Sequence, residues 1–311
     1  MAELIRDLGF DPSDNNSVFL FTTIFTFGVV TILWAIGLLQ GNHSMMDGWY
    51  GFAYAVPAFF AYLITDAGSV TAALLVLMVG LHGGRLGWYL ASRWRRYVPI
   101  YGGDPRYLGF VEDLSPGYWW KSFFKVMEPQ AVIIVLIGAP AVWGVLANRG
   151  ADGGFGALAA LGMAIFAVGF YHETLGDGQL QAFLAQPKEG RARYLNTGVW
   201  THSRHPHYFG NTLVWWGIWL VAMDGNAADV WWTAVGPLIN TIMLTSVLGT
   251  KFQDDYMGSR PEYRELMART RGFLPIPLSR KQLEAKQTKL AAARRAESSA
   301  EPTTTEEPAG R

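Results

Sequence analysis

The run Ser17–Leu39 contains no charged side chain. A helix needs about 20 mostly apolar residues to cross the hydrocarbon core of a bilayer, so this run predicts a membrane span. Six more segments have the same character: Gly48–Ile64, Ser69–Ala91, Gln130–Ala147, Gly156–Tyr171, Asn211–Met223 and Val230–Thr250, several of them short or interrupted by Gly and Pro. Composition points the same way, because 50% of the chain is apolar and 16% is charged, against about 25% charged in soluble domains. The expectation is an all-α, polytopic integral membrane protein with seven transmembrane helices.

Lys and Arg set the orientation, since their excess marks cytoplasmic loops. Of 25 basic residues, Arg6 and Arg149 fall on one side of the spans and Arg85 lies within one. The rest lie in Ser92–Pro129, His172–Gly210 and the C-terminal segment, which predicts an outside N-terminus and a cytoplasmic C-terminus. Trp49, Trp119, Trp120, Trp231 and Trp232 lie near span ends, at headgroup level. The segment 1–16 lacks the basic region of a cleaved signal peptide, so the first span is expected to stay. Residues 17–282 then form one membrane domain. Residues 283–311, polar and without aromatics, read as a disordered tail whose first half can form a short helix and touch anionic lipid. A formal net charge of zero gives no long-range pull on nucleic acid, and the absence of cysteine excludes disulfides, thiolate nucleophiles and Cys-type metal sites.

Ionisable groups inside a span are costly and mark cavities or partners. His82 and Arg85 lie three apart on the third span, on one helical face, with Gly83 and Gly84 between them allowing another backbone or a ligand to come close. The next loop holds GGDPRY, a turn that fixes Arg106 and Tyr107. His172, Glu173, Asp177 and Gln179 come where the fifth apolar run stops, so they are expected to line a cytoplasm-facing cavity. In GVWTHSRHPHYFGN, Pro206 predicts a helix start, with His207 to Asn211 in its first turn. His202, His205 and His207 invite a metal reading, but six histidines in the whole chain are too few for a di-iron site of about eight ligands, and no metal is expected. A last polar cluster, Asp254, Asp255, Tyr256, Arg260, Tyr263 and Arg271, follows the seventh span.

The stretches GVWTHSRHPHYFGN and DDYMGSRPEYRELMARTRGFLP resemble the bacterial branch of the steroid 5α-reductase family. GGDPRY and the Asp47/Trp49 pair add weaker matches, and the likeness is close over the C-terminal half. This resemblance implies a seven-helix enzyme in a bacterial inner membrane. It would use NADPH to reduce the activated carbon–carbon bond of a lipophilic enone that enters from the bilayer, a 4-ene-3-ketosteroid first among them. Carried over by position, it implies cofactor contacts at Glu173, Asp177, Arg193, His207, Tyr208, Asn211, Asp254, Asp255 and Tyr256. Arg85, Arg106, Tyr107 and Arg204 join them, the arginines as phosphate partners. It places His82 where the family has a ketone-holding tyrosine, with Asp47 as a helper. Ala55 stands where the family has a glutamate. The Arg-His-Pro-x-Tyr motif also occurs in isoprenylcysteine and phospholipid methyltransferases that bind S-adenosylmethionine, which leaves that reaction as the alternative.

Overall fold

The computed structural model describes residues 1–150, 155–247 and 249–300. Among them every regular element is helical, and the single bridge pairs Ser203 with Arg271 in parallel. The helices are α1 (Ala2–Asp7), α2 (Asn15–Gln40), α3 (Met46–Tyr50), α4 (Phe52–Thr65), α5 (Val70–Tyr101), α6 (Pro105–Asp113), α7 (Tyr118–Ser122) and α8 (Glu128–Ala147). They continue with α9 (Ala157–Ala185), α10 (Pro206–Met223), α11 (Ala227–Val230), α12 (Val235–Ile242), α13 (Thr250–Met257), α14 (Pro261–Arg269) and α15 (Arg280–Ala300). Among the described residues, five stretches are long and apolar enough to cross a membrane: Asn15–Gln40, Val70–Ile100, Tyr118–Ala147, Ala157–Ala185 and Ala227–Met257. The chain is an all-α integral membrane protein.

Two expected loops are helical. α5 runs ten residues past Ala91, and α6 and α7 follow, so much of Ser92–Pro129 is helix. α9 continues through Glu173 and Asp177 to Ala185. The apolar pattern ends where lipid contact ends, whereas the helix goes on as long as good helix formers such as Leu, Glu, Gln and Ala follow. The last expected span is in pieces: α11, a 3₁₀ turn at Trp231–Ala234, α12 and a π-helical turn at Met243–Val247. In the segment expected as a disordered tail, α15 runs to Ala300; residues 301–311 lie outside the described residues.

Packing divides the chain into two compact units, Met1–Thr174 with Gly210–Met243, and Leu175–Phe209 with Leu244–Arg311. In the first unit α8 is the hub, packed against α2, α4, α5 and α12. Apolar on all sides, α8 suits a central position. Its end is held by Asn148, whose amide donates to the carbonyls of Gly144 and Ala222, both at 2.9 Å.

Lipid chains are as apolar as Leu, so helices in a bilayer associate through close packing at small residues. Two crossings of the first unit illustrate this. A Cβ at Gly51 would lie 2.1 Å from the Gly87 nitrogen, and one at Gly83 would lie 2.6 Å from the Gly51 carbonyl oxygen, while Gly84 meets nothing within 4 Å. Gly83 therefore serves helix packing. α9 and α10 cross in the same way: a Cβ at Gly162 would come within 2.7 Å of the Gly217 oxygen, and one at Gly169 within 2.6 Å of the Gly210 oxygen. Gly162 and Gly169 on α9, like Gly210 and Gly217 on α10, are seven apart, two helical turns.

This register predicts that Gly169→Ala forces α9 from α10 and costs about 1–3 kcal/mol. Gly178→Ala, with open space around its Cβ position, should leave the melting temperature in detergent unchanged or raise it. Equal effects of the two substitutions would contradict the glycine register.

Candidate functional site

The α9–α10 crossing positions a buried polar cluster. Glu173 on α9 is 2% exposed and His82 on α5 is fully buried. Glu173 Oε2 lies 3.2 Å from His82 Nδ1. Its Oε1 pairs with Arg85 and accepts a hydrogen bond of 2.9 Å from the Asn211 amide. Asn240 on α12 donates in turn to Asn211 Oδ1 at 3.0 Å. The spacing of His82 and Arg85 on α5 puts both on Glu173, and Gly210 lets the start of α10 lie against α9 so that Asn211 reaches the same carboxylate.

The imidazole is fixed on both sides. Trp215 meets the His82 ring edge to face at 5.6 Å and meets Tyr54 at 4.8 Å. On its other side the ring has the Glu173 carboxylate within ion-pair distance of Nδ1, not aligned for a hydrogen bond. His82 Nε2, His82 Nδ1 and Glu173 Oε2 are all buried without an aligned hydrogen-bond partner, which is costly unless something polar meets them. A separate small cavity of about 20 Å³, lined by Thr22, Thr26, Tyr54 and Pro57 among others, does not include His82; it has room for about one water.

A second network of the first unit gathers Asp47, Arg106 and Tyr107. Gly102 at φ +77° caps α5, Asp104 caps α6, and Pro105 occupies the first turn of α6. Arg106 Nη2 donates to Asp47 Oδ2 at 2.5 Å, and its Nε donates to Asp104 Oδ1 at 2.9 Å. Arg93 Nη2 donates to Asp47 Oδ2 at 2.7 Å. The Tyr107 hydroxyl donates to Asp47 Oδ1 at 3.1 Å. Burial works against ionisation of Asp104, yet Arg106 and Arg93 outweigh it and hold its carboxyl below the usual range. Burial and the Asp47 charge push the Tyr107 hydroxyl well up, so it stays a donor. Two carboxylates and two guanidiniums thus neutralise one another between α3, α5 and α6.

The second unit has its own centre. Arg204, 6% exposed, grips Asp254 with both edges of its fork, Nε to Oδ1 at 2.9 Å and Nη2 to Oδ2 at 2.5 Å. Its Nη1 donates to the Thr270 carbonyl at 2.6 Å. His205 Nε2 at 3.1 Å and the Tyr263 hydroxyl at 2.9 Å complete the Asp254 shell. The Ser203 hydroxyl donates to the carbonyls of Gly272 and Phe273, at 3.1 and 2.9 Å. The Ser-Arg-His stretch is thereby stitched to the Arg-Gly-Phe stretch seventy residues on. The other expected residues are less tightly grouped. Tyr208 stacks on His205 at 5.4 Å, and the His207 ring lies 5.1 Å from that of Trp200. Asp177 is buried on α9, whereas Asp255 and Tyr256 are exposed on α13. Arg193 pairs with Glu262 near the surface.

Sequence reasoning did not select Asn240, Trp215 or Arg93. Asn240 had a signal, as an amide inside an apolar run; Trp215, one of thirteen tryptophans, had none. No curated protein and no solved structure matches the chain. A family model described as a protein of unknown function, DUF1295, matches residues 33–270, which is most of the sequence, and the chain belongs to that family.

Proposed function

We propose that this protein reduces the activated carbon–carbon double bond of a lipophilic enone with NADPH, a 4-ene-3-ketosteroid being the first substrate to test. The observation that carries the reading is His82, buried against Glu173 with Nε2 unpartnered. The family is related to steroid 5α-reductase and isoprenylcysteine methyltransferase-like membrane proteins, which supports both a reductase and a methyltransferase. A buried imidazole paired with a carboxylate favours the reductase, because a reduction needs a proton as well as a hydride.

A bound reduced nicotinamide would supply the hydride to the β-carbon of the enone. The carbonyl oxygen then takes up negative charge as an enolate. A protonated His82 donates from Nε2 to that oxygen, and Glu173 offsets the charge of the ring. The α-carbon then takes one proton from water while the oxygen gives back to His82 any proton it accepted, which restores the ketone and completes the addition of one hydride and one proton. Arg85 and Asn211 hold the Glu173 carboxylate in place beside the imidazole. The apolar, lipid-facing helices suit a substrate that arrives from the bilayer. Seven spans, with Gly48–Ile64 and Asn211–Met223 added to the five long helices, an outside N-terminus and a bacterial inner membrane complete the reading.

The donor set fits the phosphate end of the cofactor unevenly. Arg204 is buried and has three donor nitrogens on Asp254 and Thr270, so it is assigned to holding the Ser-Arg-His stretch. Arg106 is likewise divided between Asp47 and Asp104. Arg193 is 74% exposed opposite a half-exposed Glu262, and such a pair contributes little and exchanges partners easily. Within the second unit it is the guanidinium assigned to a cofactor phosphate.

Purified protein in detergent should melt at a higher temperature with NADPH. A shift with S-adenosylmethionine and none with NADPH would replace the reductase by the methyltransferase. His82→Ala should keep the NADPH shift and lower enone turnover by roughly 10²–10⁴-fold; unchanged turnover removes His82 from the chemistry. Arg204→Ala, which leaves a buried carboxylate without its main partner, should destabilise the protein by about 3–5 kcal/mol. Arg193→Ala should leave stability within about 0.5 kcal/mol and weaken the NADPH shift, and the opposite ranking would return the phosphate to Arg204.

A further inference from the structure

Charge is unevenly shared between the two units. The second holds sixteen Lys and Arg against eleven Asp and Glu, the first nine against fourteen, although the whole chain is neutral. Pairing does not use up this excess. Lys251, Arg260, Arg269, Lys281 and Lys289 are exposed, and none has a carboxylate partner among the described residues. Arg280, by contrast, pairs with Glu284 one turn on.

The same unit exposes large apolar side chains. Phe252 and Tyr256 are 57% and 63% exposed, one turn apart on α13, the helix that ends the candidate span Ala227–Met257. Leu274 and Ile276, in the stretch before α15, are 43% and 55% exposed. α15 itself is anchored: Lys286 donates to the Met267 and Thr270 carbonyls at 2.8 and 3.1 Å, and Gln282 accepts from Arg271 at 2.9 Å. With those residues turned to the body of the unit, Lys281 and Lys289 are left to solvent. Exposed aromatics at a span end with unpaired cations close in sequence are the chemistry of a headgroup-level surface.

We propose that the second unit carries a binding surface for anionic phospholipid headgroups, formed by the exposed cations of α13, α14 and α15 with Phe252, Tyr256, Leu274 and Ile276 as its apolar contacts. The attraction is electrostatic and short-ranged, so salt weakens it. It is independent of the reaction assigned to His82.

The test uses the full chain in nanodiscs of phosphatidylcholine, with and without phosphatidylglycerol, followed by amide hydrogen exchange. Amides of Arg280–Ala300 should exchange several-fold more slowly with the anionic lipid, and high salt should abolish the difference. Lys281→Glu with Lys289→Glu should lose the protection, since each cation removed weakens the attraction about five-fold and each added carboxylate repels the headgroups further. Equal exchange in the two lipids, or protection that survives in the double variant, overturns the proposal. So does protection by inorganic phosphate in phosphatidylcholine discs, which would mean a free anion site, or protection that grows with protein concentration, which would mean a second copy of the chain.

Discussion

A carboxylate in a helix that crosses a membrane has to be matched where it sits, because no water is there to solvate it and removing one partner of a buried pair costs about 3–5 kcal/mol. Glu173 is matched by Arg85, the Asn211 amide and His82, whose Nδ1 lies 3.2 Å from Oε2. Three helices must therefore meet at one point. α5 can contribute two partners because His82 and Arg85 are spaced along one face, and α10 can contribute Asn211 because Gly210 and Gly169 let two backbones almost touch. Packing and electrostatics specify the same geometry here: a larger residue at either glycine would separate the carboxylate from one of its partners.

The same rule organises the rest of a chain with few charges. Asp47 and Asp104 are closed by Arg93 and Arg106, and Asp254 is closed by Arg204, His205 and Tyr263. Each network joins segments that are far apart in sequence, so the ion pairs act as position markers between elements whose apolar faces would pack in several registers. The cations left over collect in the second unit, outside these closed sets.

Much of this was legible from residue order. The apolar runs marked Asn15–Gln40 to within two residues, and Pro206 marked the start of α10. The polar runs at 92–101 and 172–185 were misleading, because polarity reports the loss of lipid contact and helix propensity is a separate property. His82 and Arg85 were selected as a pair on one face, Glu173 and Asn211 in separate segments, and their convergence required the glycine register, a seven-residue spacing on α9 and α10 that is present in the sequence. Trp215, which holds the imidazole edge on, could not be singled out because burying a tryptophan is ordinary.

The Ser-Arg-His-Pro stretch shows how far a motif carries a function. Its serine, arginine and first histidine are spent on the Arg-Gly-Phe stretch and on Asp254, and its proline starts α10. These are folding tasks in this chain, and they do not choose between the reduction and the methyl transfer weighed above. What separates the two reactions is whether a proton is delivered next to the substrate. Under the reduction proposed above, that requirement would fall on residues outside the motif, on His82 and on the Glu173 carboxylate beside it, so the proposal stands or falls on that pair and not on the motif.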